Sequence, residues 1–259
     1  MRTVTATRYV TPLREGGSLP AIVEADDSGL YVVKFRAAGQ GAKALVAELV
    51  SGELARAAGL RVPEIVLVEV GGALGRNEPD PEIRDLLKRS VGVNLGLDYL
   101  PGSITFDPVA GPPPATDEAS AVVWFDAFVT NVDRTPRNSN LLSWHRQLWL
   151  IDHGASLYFH HAWDGARDAS GMPFAAVRDH VLLPWADRIA AAGERLAPRL
   201  GRDVLERVLS DVPDAWLAGE PGFAAAADHR AAYARHLERR LAAAHIFVAE
   251  AERARSQLV

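Results

Sequence analysis

The stretch Asn131-Val132-Asp133-Arg134-Thr135-Pro136-Arg137-Asn138-Ser139-Asn140, continued as Leu141-Leu142-Ser143-Trp144-His145-Arg146-Gln147-Leu148-Trp149-Leu150-Ile151-Asp152-His153-Gly154, decides how this chain is read. A long apolar run ends in a polar loop that holds an acid, Asp133, with two amides, Asn138 and Asn140, behind it. Two apolar stretches then flank His145-Arg146, which predicts a β-hairpin folded about that pair. Counting outward from the turn brings Asn138 and Asp152 to the same open end. An amide oxygen and a carboxylate placed together make a hard-oxygen site suited to Mg²⁺, which keeps several waters and completes its shell with nucleotide phosphates. Asp133 would face the metal-bound phosphate.

Phosphoryl transfer also needs a cation on the phosphates, and the first half of the chain supplies one. In Leu30-Tyr31-Val32-Val33-Lys34-Phe35, strand alternation puts Lys34 on the face of Leu30 and Val32. A lone ammonium in an apolar strand is costly unless an anion meets it. The helix expected over Ala42–Ala58, stopped by Gly59 and Pro63, offers two acids, Glu48 and Glu53. Each shares a helical face with small or apolar residues, and periodicity alone does not choose between them.

Around these segments the first hundred residues read as strands, at Val4–Thr11, Leu19–Ala25, Leu30–Arg36, Ile65–Val70 and Val91–Leu100, with a short helix near Pro81–Arg89. Gly16, Gly17 and Ser18 lie between the first two strands and can offer amide donors to a phosphate, although a hairpin turn explains them equally. A proline-rich linker, Asp107–Pro114, precedes a helix expected to be capped by Thr116, with Asp117 and Glu118 in its first turn. Beyond it the chain is mainly helical, and Phe223–Arg255 has the composition of one or two long helices.

Composition narrows the function classes. The 259 residues are nearly half apolar, enough for a sizeable core, and carry a net charge of −5, which gives no basic field for nucleic acid. The absence of cysteine removes disulfides, thiolate catalysis and thiolate metal sites together. No run approaches the about 18 apolar residues of a membrane span, and the N-terminus lacks a signal-peptide stretch, so the cytoplasm is the expected location. His153, His160 and His161 lack metal-ligand spacing and are expected in the loop after Asp152, where substrate docks. The tryptophans, among them Trp124, Trp144 and Trp149, read as core residues.

Three segments carry a family resemblance. Glu48-x6-Ala55-x3-Gly59-Leu60-x-Val62-Pro63 resembles the helix-and-exit segment of HipA-family kinases, and in that register Glu48 is the partner of Lys34. Gly96-Leu97-Asp98-Tyr99-Leu100-Pro101-Gly102 resembles the family's hinge, which implies that backbone groups of Leu97, Asp98, Tyr99 and Leu100 hold adenine. Asp133-Arg134-x3-Asn138-x-Asn140 and Leu150-Ile151-Asp152-His153-Gly154 resemble the catalytic and metal-binding loops of HipA-like and phosphatidylinositol kinases. The resemblance runs from about Leu13 to Gly154.

It implies an α+β, protein-kinase-like bilobal fold with a small strand-rich N-lobe over 1–96, a hinge over 97–102 and a larger helical C-lobe over 103–259. It implies ATP and Mg²⁺ as cofactors, Asp133 as the catalytic carboxylate, Lys34 as the phosphate-binding lysine, and Asn138 and Asp152 as the magnesium ligands. The γ-phosphate would pass to a hydroxyl of a protein or small molecule, with Arg134 or Arg137 stabilising the transferred group, because Thr135 stands where the usual loop lysine would. AMP transfer by the same fold, and a non-catalytic nucleotide-binding module, are the alternative activities. Asn131-Val132 replaces the His-Arg pair of protein kinases, His153 replaces their Phe, and no G-x-G-x-x-G loop is present. Full-length HipA toxins carry an N-terminal subdomain not seen here, so the resemblance stops short of toxin activity and an antitoxin partner.

Overall fold

Alternating apolar residues in the first hundred positions close a small β-barrel. The structure is a computed structural model that describes residues 1–13, 19–76, 78–163 and 169–258; Gly16, Gly17 and Ser18 lie outside the described residues. Strands β1 (Thr3–Pro12), β2 (Ala21–Ala25), β3 (Leu30–Lys34), β4 (Ile65–Val70) and β5 (Gly92–Asp98) run in the order β1-β2-β3-β5-β4 around the barrel. The β1–β4 pair is parallel and the others are antiparallel. Tyr31, Val33 and Phe35 point into the barrel with Val23, Val66 and Val68, and helix α2 (Pro81–Arg89) closes it with Ile83, Leu86 and Leu87. Gly96 is required where β5 crosses this core: a Cβ there would come within 2.7 Å of Val68.

Helix α1 (Ala42–Ala58) follows β3 and is buried nearly all round, as a helix packed on both sides must be. Gly59 ends it in the left-handed conformation, as the sequence expects, with its N–H on the carbonyls of Ala55 and Arg56. Leu45, Leu49 and Leu54 of α1 share one apolar core with Leu95 and Leu97 of β5 and with Val122, Phe125 and Phe128 of helix α3 (Thr116–Val129). The core therefore continues from the strands into the helices. Its remaining walls are α4 (Ile189–Leu196), α5 (Arg202–Ser210), α6 (Asp214–Leu217), α7 (Ala226–Ala242) and α8 (Ala244–Ser256).

Two expectations shift. Thr116 is the first helical residue of α3 rather than its cap; Ala115 occupies the extended capping position and offers no side-chain bond, while Asp117 and Glu118 still lie in the first turn. The hairpin of β7 (Leu141–Trp144) and β8 (Gln147–Leu150) turns at His145-Arg146, both at positive φ, and gains a third strand, β6 (Ile104–Thr105), that sequence reading missed. At two residues, β6 is too short to show alternation. The Trp144 indole N–H donates to Pro101 O at 2.9 Å and anchors the hairpin to the segment after β5.

Candidate active site

Three elements far apart in sequence meet at Lys34. On β3 its side chain leaves the barrel on the face of Leu30 and Val32, and its ammonium donates to Glu48 Oε2 on α1 and to Asp152 Oδ1 beyond β8, each at 2.6 Å. The anion that the sequence demanded is thus a pair of carboxylates. Glu53, the other acid on α1, lies instead beside Arg56 at 3.4 Å.

The two carboxylates differ in exposure. Glu48 is fully buried, whereas the Asp152 side chain is 44% exposed and can meet a solute. Burial alone would raise the Glu48 carboxyl, but the Lys34 charge, with His153 beside it, pulls it down to about 2. Burial would lower Lys34, and the charges of Glu48 and Asp152 raise it instead. Asp152 has φ 53, in the left-handed region. Thr130, Asn140 and Leu157 do too, so half of the eight non-glycine residues at positive φ among those described flank these two loops.

The second loop is built around Asp133. Its Oδ2 accepts from Asn138 Nδ2 at 2.7 Å and Asn140 Nδ2 at 3.2 Å, while its own N–H donates to Asn131 Oδ1 at 3.2 Å. Reciprocal backbone bonds between Thr135 and Asn138 tighten the turn. Past the hairpin's last strand pair, Ile151 N–H donates to Asn140 O at 3.1 Å. Asn138 and Asp152 accordingly leave the same end of the hairpin, as counting along the sequence expects.

Arg134 does not point toward the site. It is buried, donating from Nε to Asp126 Oδ2 at 2.5 Å and from Nη1 to the carbonyls of Asn140 and Ile151. Asp126 also accepts from His180 Nε2 at 2.9 Å and Asn131 Nδ2 at 3.1 Å. Burial would raise its carboxyl, and the Arg134 charge together with the His180 bond holds it far below the carboxylate range. Arg134 therefore ties the two loops together, and only Arg137 of the two arginines is exposed.

Two histidines also differ from expectation. His153 and His160 are buried rather than displayed in a docking loop: His153 Nδ1 lies 3.5 Å from Glu48 Oε1, and His160 Nδ1 lies 2.9 Å from the Tyr233 hydroxyl. His161 alone of the three is exposed. Sequence reading also gave no separate role to Asn140, the second amide on Asp133, although it stands in the same motif.

In the hinge segment, Leu97 lies inside β5 between Val32 and Ile65. The amides of Asp98 and Tyr99 donate to Glu64 O and Leu30 O. Two surface cavities, of about 400 Å³ beside Gly59, Glu118 and Leu150 and about 280 Å³ beside Arg8 and Leu74, are not lined by Lys34, Glu48, Asp133, Asn138 or Asp152. Among the described residues, no cluster of three or more carboxylate or imidazole groups could hold a metal ion by itself, and no helix is long and apolar enough to cross a membrane.

The site thus joins a barrel lysine and a helix glutamate to a mainly helical part that carries Asp133 and Asp152 on two loops. The chain belongs to the HipA-like kinase family, whose model matches residues 7–246. Kinase-type phosphoryl transfer is the activity class that this family defines. Among solved structures, the crystal structure of a Helicobacter pylori proinflammatory kinase, CtkA, is similar over 100% of this chain and 99% of its own, with a TM-score of 0.57. At 12% identity that likeness is one of fold. No match is found among curated proteins.

Proposed function

We propose that this protein is an ATP- and Mg²⁺-dependent phosphotransferase that moves the γ-phosphate to a hydroxyl acceptor, working in the cleft between a strand-rich lobe and a helical lobe. The observation that carries the proposal is the position of Lys34, 2.6 Å from both Glu48 and Asp152. It joins a cation from the barrel to an exposed carboxylate of the helical part, as a triphosphate bridging the two would require.

The residues present fit a magnesium ion. Asp152 offers an exposed carboxylate, and Asn138, whose Nδ2 is engaged by Asp133, retains Oδ1 as an acceptor. Two oxygen ligands with no larger acidic cluster suit an ion that takes the rest of its shell from phosphates and water. When bound, the ion would neutralise charge on the phosphate oxygens.

Lys34, fixed by Glu48, would orient the α- and β-phosphates. Asp133 would receive the acceptor hydroxyl: Asn138 and Asn140 occupy its Oδ2, which leaves Oδ1 to position or deprotonate the incoming group. Adenine would lie against the hinge, where Leu100, of the four residues expected there, offers an N–H outside the Glu64 and Leu30 pairings. Arg137 would face the transferred group.

Incubation of the purified protein with Mg²⁺ and γ-labelled ATP, with protein and small-molecule hydroxyl acceptors, should give labelled product and ADP. The added mass of the product separates phosphoryl from adenylyl transfer. Magnesium-dependent ATP binding with no ADP and no modified product over hours would overturn the proposal in favour of a binding module.

A further inference from the structure

Glu48 has two oxygens, and Lys34 takes only Oε2. Oε1 is buried and accepts no hydrogen bond among the described residues. His153 Nδ1 faces it at 3.5 Å, both side chains are fully excluded from solvent, and neither ring nitrogen of His153 has another partner among the described residues. Buried polar atoms without partners are uncommon, and a shift of a few tenths of an ångström would pair these two. An ionised carboxylate can only accept, so the contact requires the proton on Nδ1.

The position of His153 gives this contact a consequence. Asp152, its neighbour in sequence, is the other carboxylate on Lys34, so Lys34, Glu48, His153 and Asp152 form a closed ring. Ser156 reinforces it, with Oγ 2.6 Å from both His153 O and Ser51 Oγ of α1. Lys43, at the start of α1, donates to His160 O at 2.9 Å. The segment after Asp152 thus grips α1 along its length.

We propose that His153 is a positioning residue for phosphoryl transfer: its Nδ1–H holds Glu48 Oε1, so that Glu48 keeps Lys34 in place once Asp152 releases the ammonium to engage a cation. Without His153, Glu48 has Lys34 as its one anchor, and that anchor must also serve the phosphates. This role rests on the phosphotransferase reading above.

Leucine and asparagine have nearly the same shape and differ in the donor, which makes His153→Leu and His153→Asn the decisive pair. His153→Leu should lower kcat/KM for Mg·ATP by about tenfold to a hundredfold, the worth of a hydrogen bond to a charged group. His153→Asn, with an amide near the place of Nδ1, should stay within about threefold of wild type. In a Glu48→Gln background His153→Leu should add less than about twofold, since the acceptor is already altered. Urea unfolding of the nucleotide-free protein should show the same non-additivity between the two sites, and His153→Phe repeats the comparison if the leucine variant does not fold.

Equal losses in the leucine and asparagine variants, full activity in the leucine variant, or additivity with Glu48→Gln would overturn the role of His153 alone. A wild type with no Mg·ATP-dependent transfer would overturn the phosphotransferase reading and this role with it.

Discussion

Two ionic networks reach adjacent residues, Ile151 and Asp152, and behave oppositely. Around Asp126, Arg134 and His180, both members of the central ion pair are sealed from solvent, and Asp126 takes three side-chain bonds from Asn131, Arg134 and His180. Around Lys34, one carboxylate is equally sealed but the other, Asp152, faces outward. The closed network turns inward, leaving only Arg134 Nη2 without a partner among the described residues, and can only hold the loops together. The open one leaves a carboxylate that a solute can reach, with the mostly buried Lys34 ammonium bonded to it. Nearness to the catalytic motif does not assign a role to a charged residue, because Arg134 sits beside Asp133 and still points away from it; access does.

The sharpest way to break this comparison is to neutralise the open network. Asp152→Asn keeps the shape and the tolerance for left-handed backbone that φ 53 demands. It should reduce magnesium-dependent transfer by about a thousandfold or more, roughly 4 kcal/mol of transition-state stabilisation. Stability should change by less than about 1 kcal/mol, since the carboxylate is 44% exposed and Lys34 retains Glu48. Kinetics and urea unfolding of one preparation measure both, and wild-type turnover would refute the assignment of Asp152.

The closed network should respond the other way. Asp126→Ala strands the Arg134 guanidinium in the interior, and breaking a buried pair from one side costs about 3–5 kcal/mol. That loss should appear as a lower urea midpoint, with no selective change in KM for ATP in the protein that remains folded. A variant as stable as wild type would mean that Arg134 finds water or another acceptor, and the contrast between closed and open networks would fail.

The difference between the networks also marks how far the sequence could be read. The hairpin, the helix stop at Gly59 and the exit of Asn138 and Asp152 from one end of the hairpin followed from turn chemistry and counting, which are local rules. The face of Lys34 followed from alternation. Glu48 against Glu53 did not, because α1 is buried nearly all round and so has no single apolar face; a family register chose correctly where periodicity could not. Burial of Arg134, His153 and His160 was illegible for a related reason. Each is enclosed by segments distant in sequence, with Ile151, Glu48 and Tyr233 as the neighbours that reveal it. A lone polar residue in a loop carries no mark of what will later cover it.

Acidification should test both networks at once with a smaller effect. Glu48 and Asp126 both have folded-state pKa values below their ordinary ones, so the unfolded chain takes up protons first. Stability from these groups is complete above about pH 4.5 and is lost as pH falls toward 2. His160 adds an earlier loss with the same sign: burial lowers it from 6.5 to about 3, so it stays neutral in the fold while the unfolded chain charges below pH 6.5. At pH 5 this amounts to about 2 kcal/mol. His160→Gln should flatten the stability curve between pH 6.5 and 4.5 and leave the steeper fall below it, as urea midpoints across that range would show. An unchanged slope would place the early limb on His161 or His229, both also lowered by burial.

The smallest expected effect separates the two arginines of the loop. Arg137 is exposed, whereas Arg134 is committed to Asp126 and two carbonyls. If Arg137 steadies charge on the transferred group, Arg137→Ala should lower kcat about tenfold, or roughly 1.4 kcal/mol, because an exposed guanidinium acts through a high dielectric. KM for ATP should be little changed, since the gain would be made only as charge develops. Arg137→Lys should recover part of the loss, as a point charge serves where no bidentate geometry is imposed. Equal kcat in wild type and Arg137→Ala would leave Lys34 as the cation that balances the phosphates. The open network would then reach no further than the ring around Glu48.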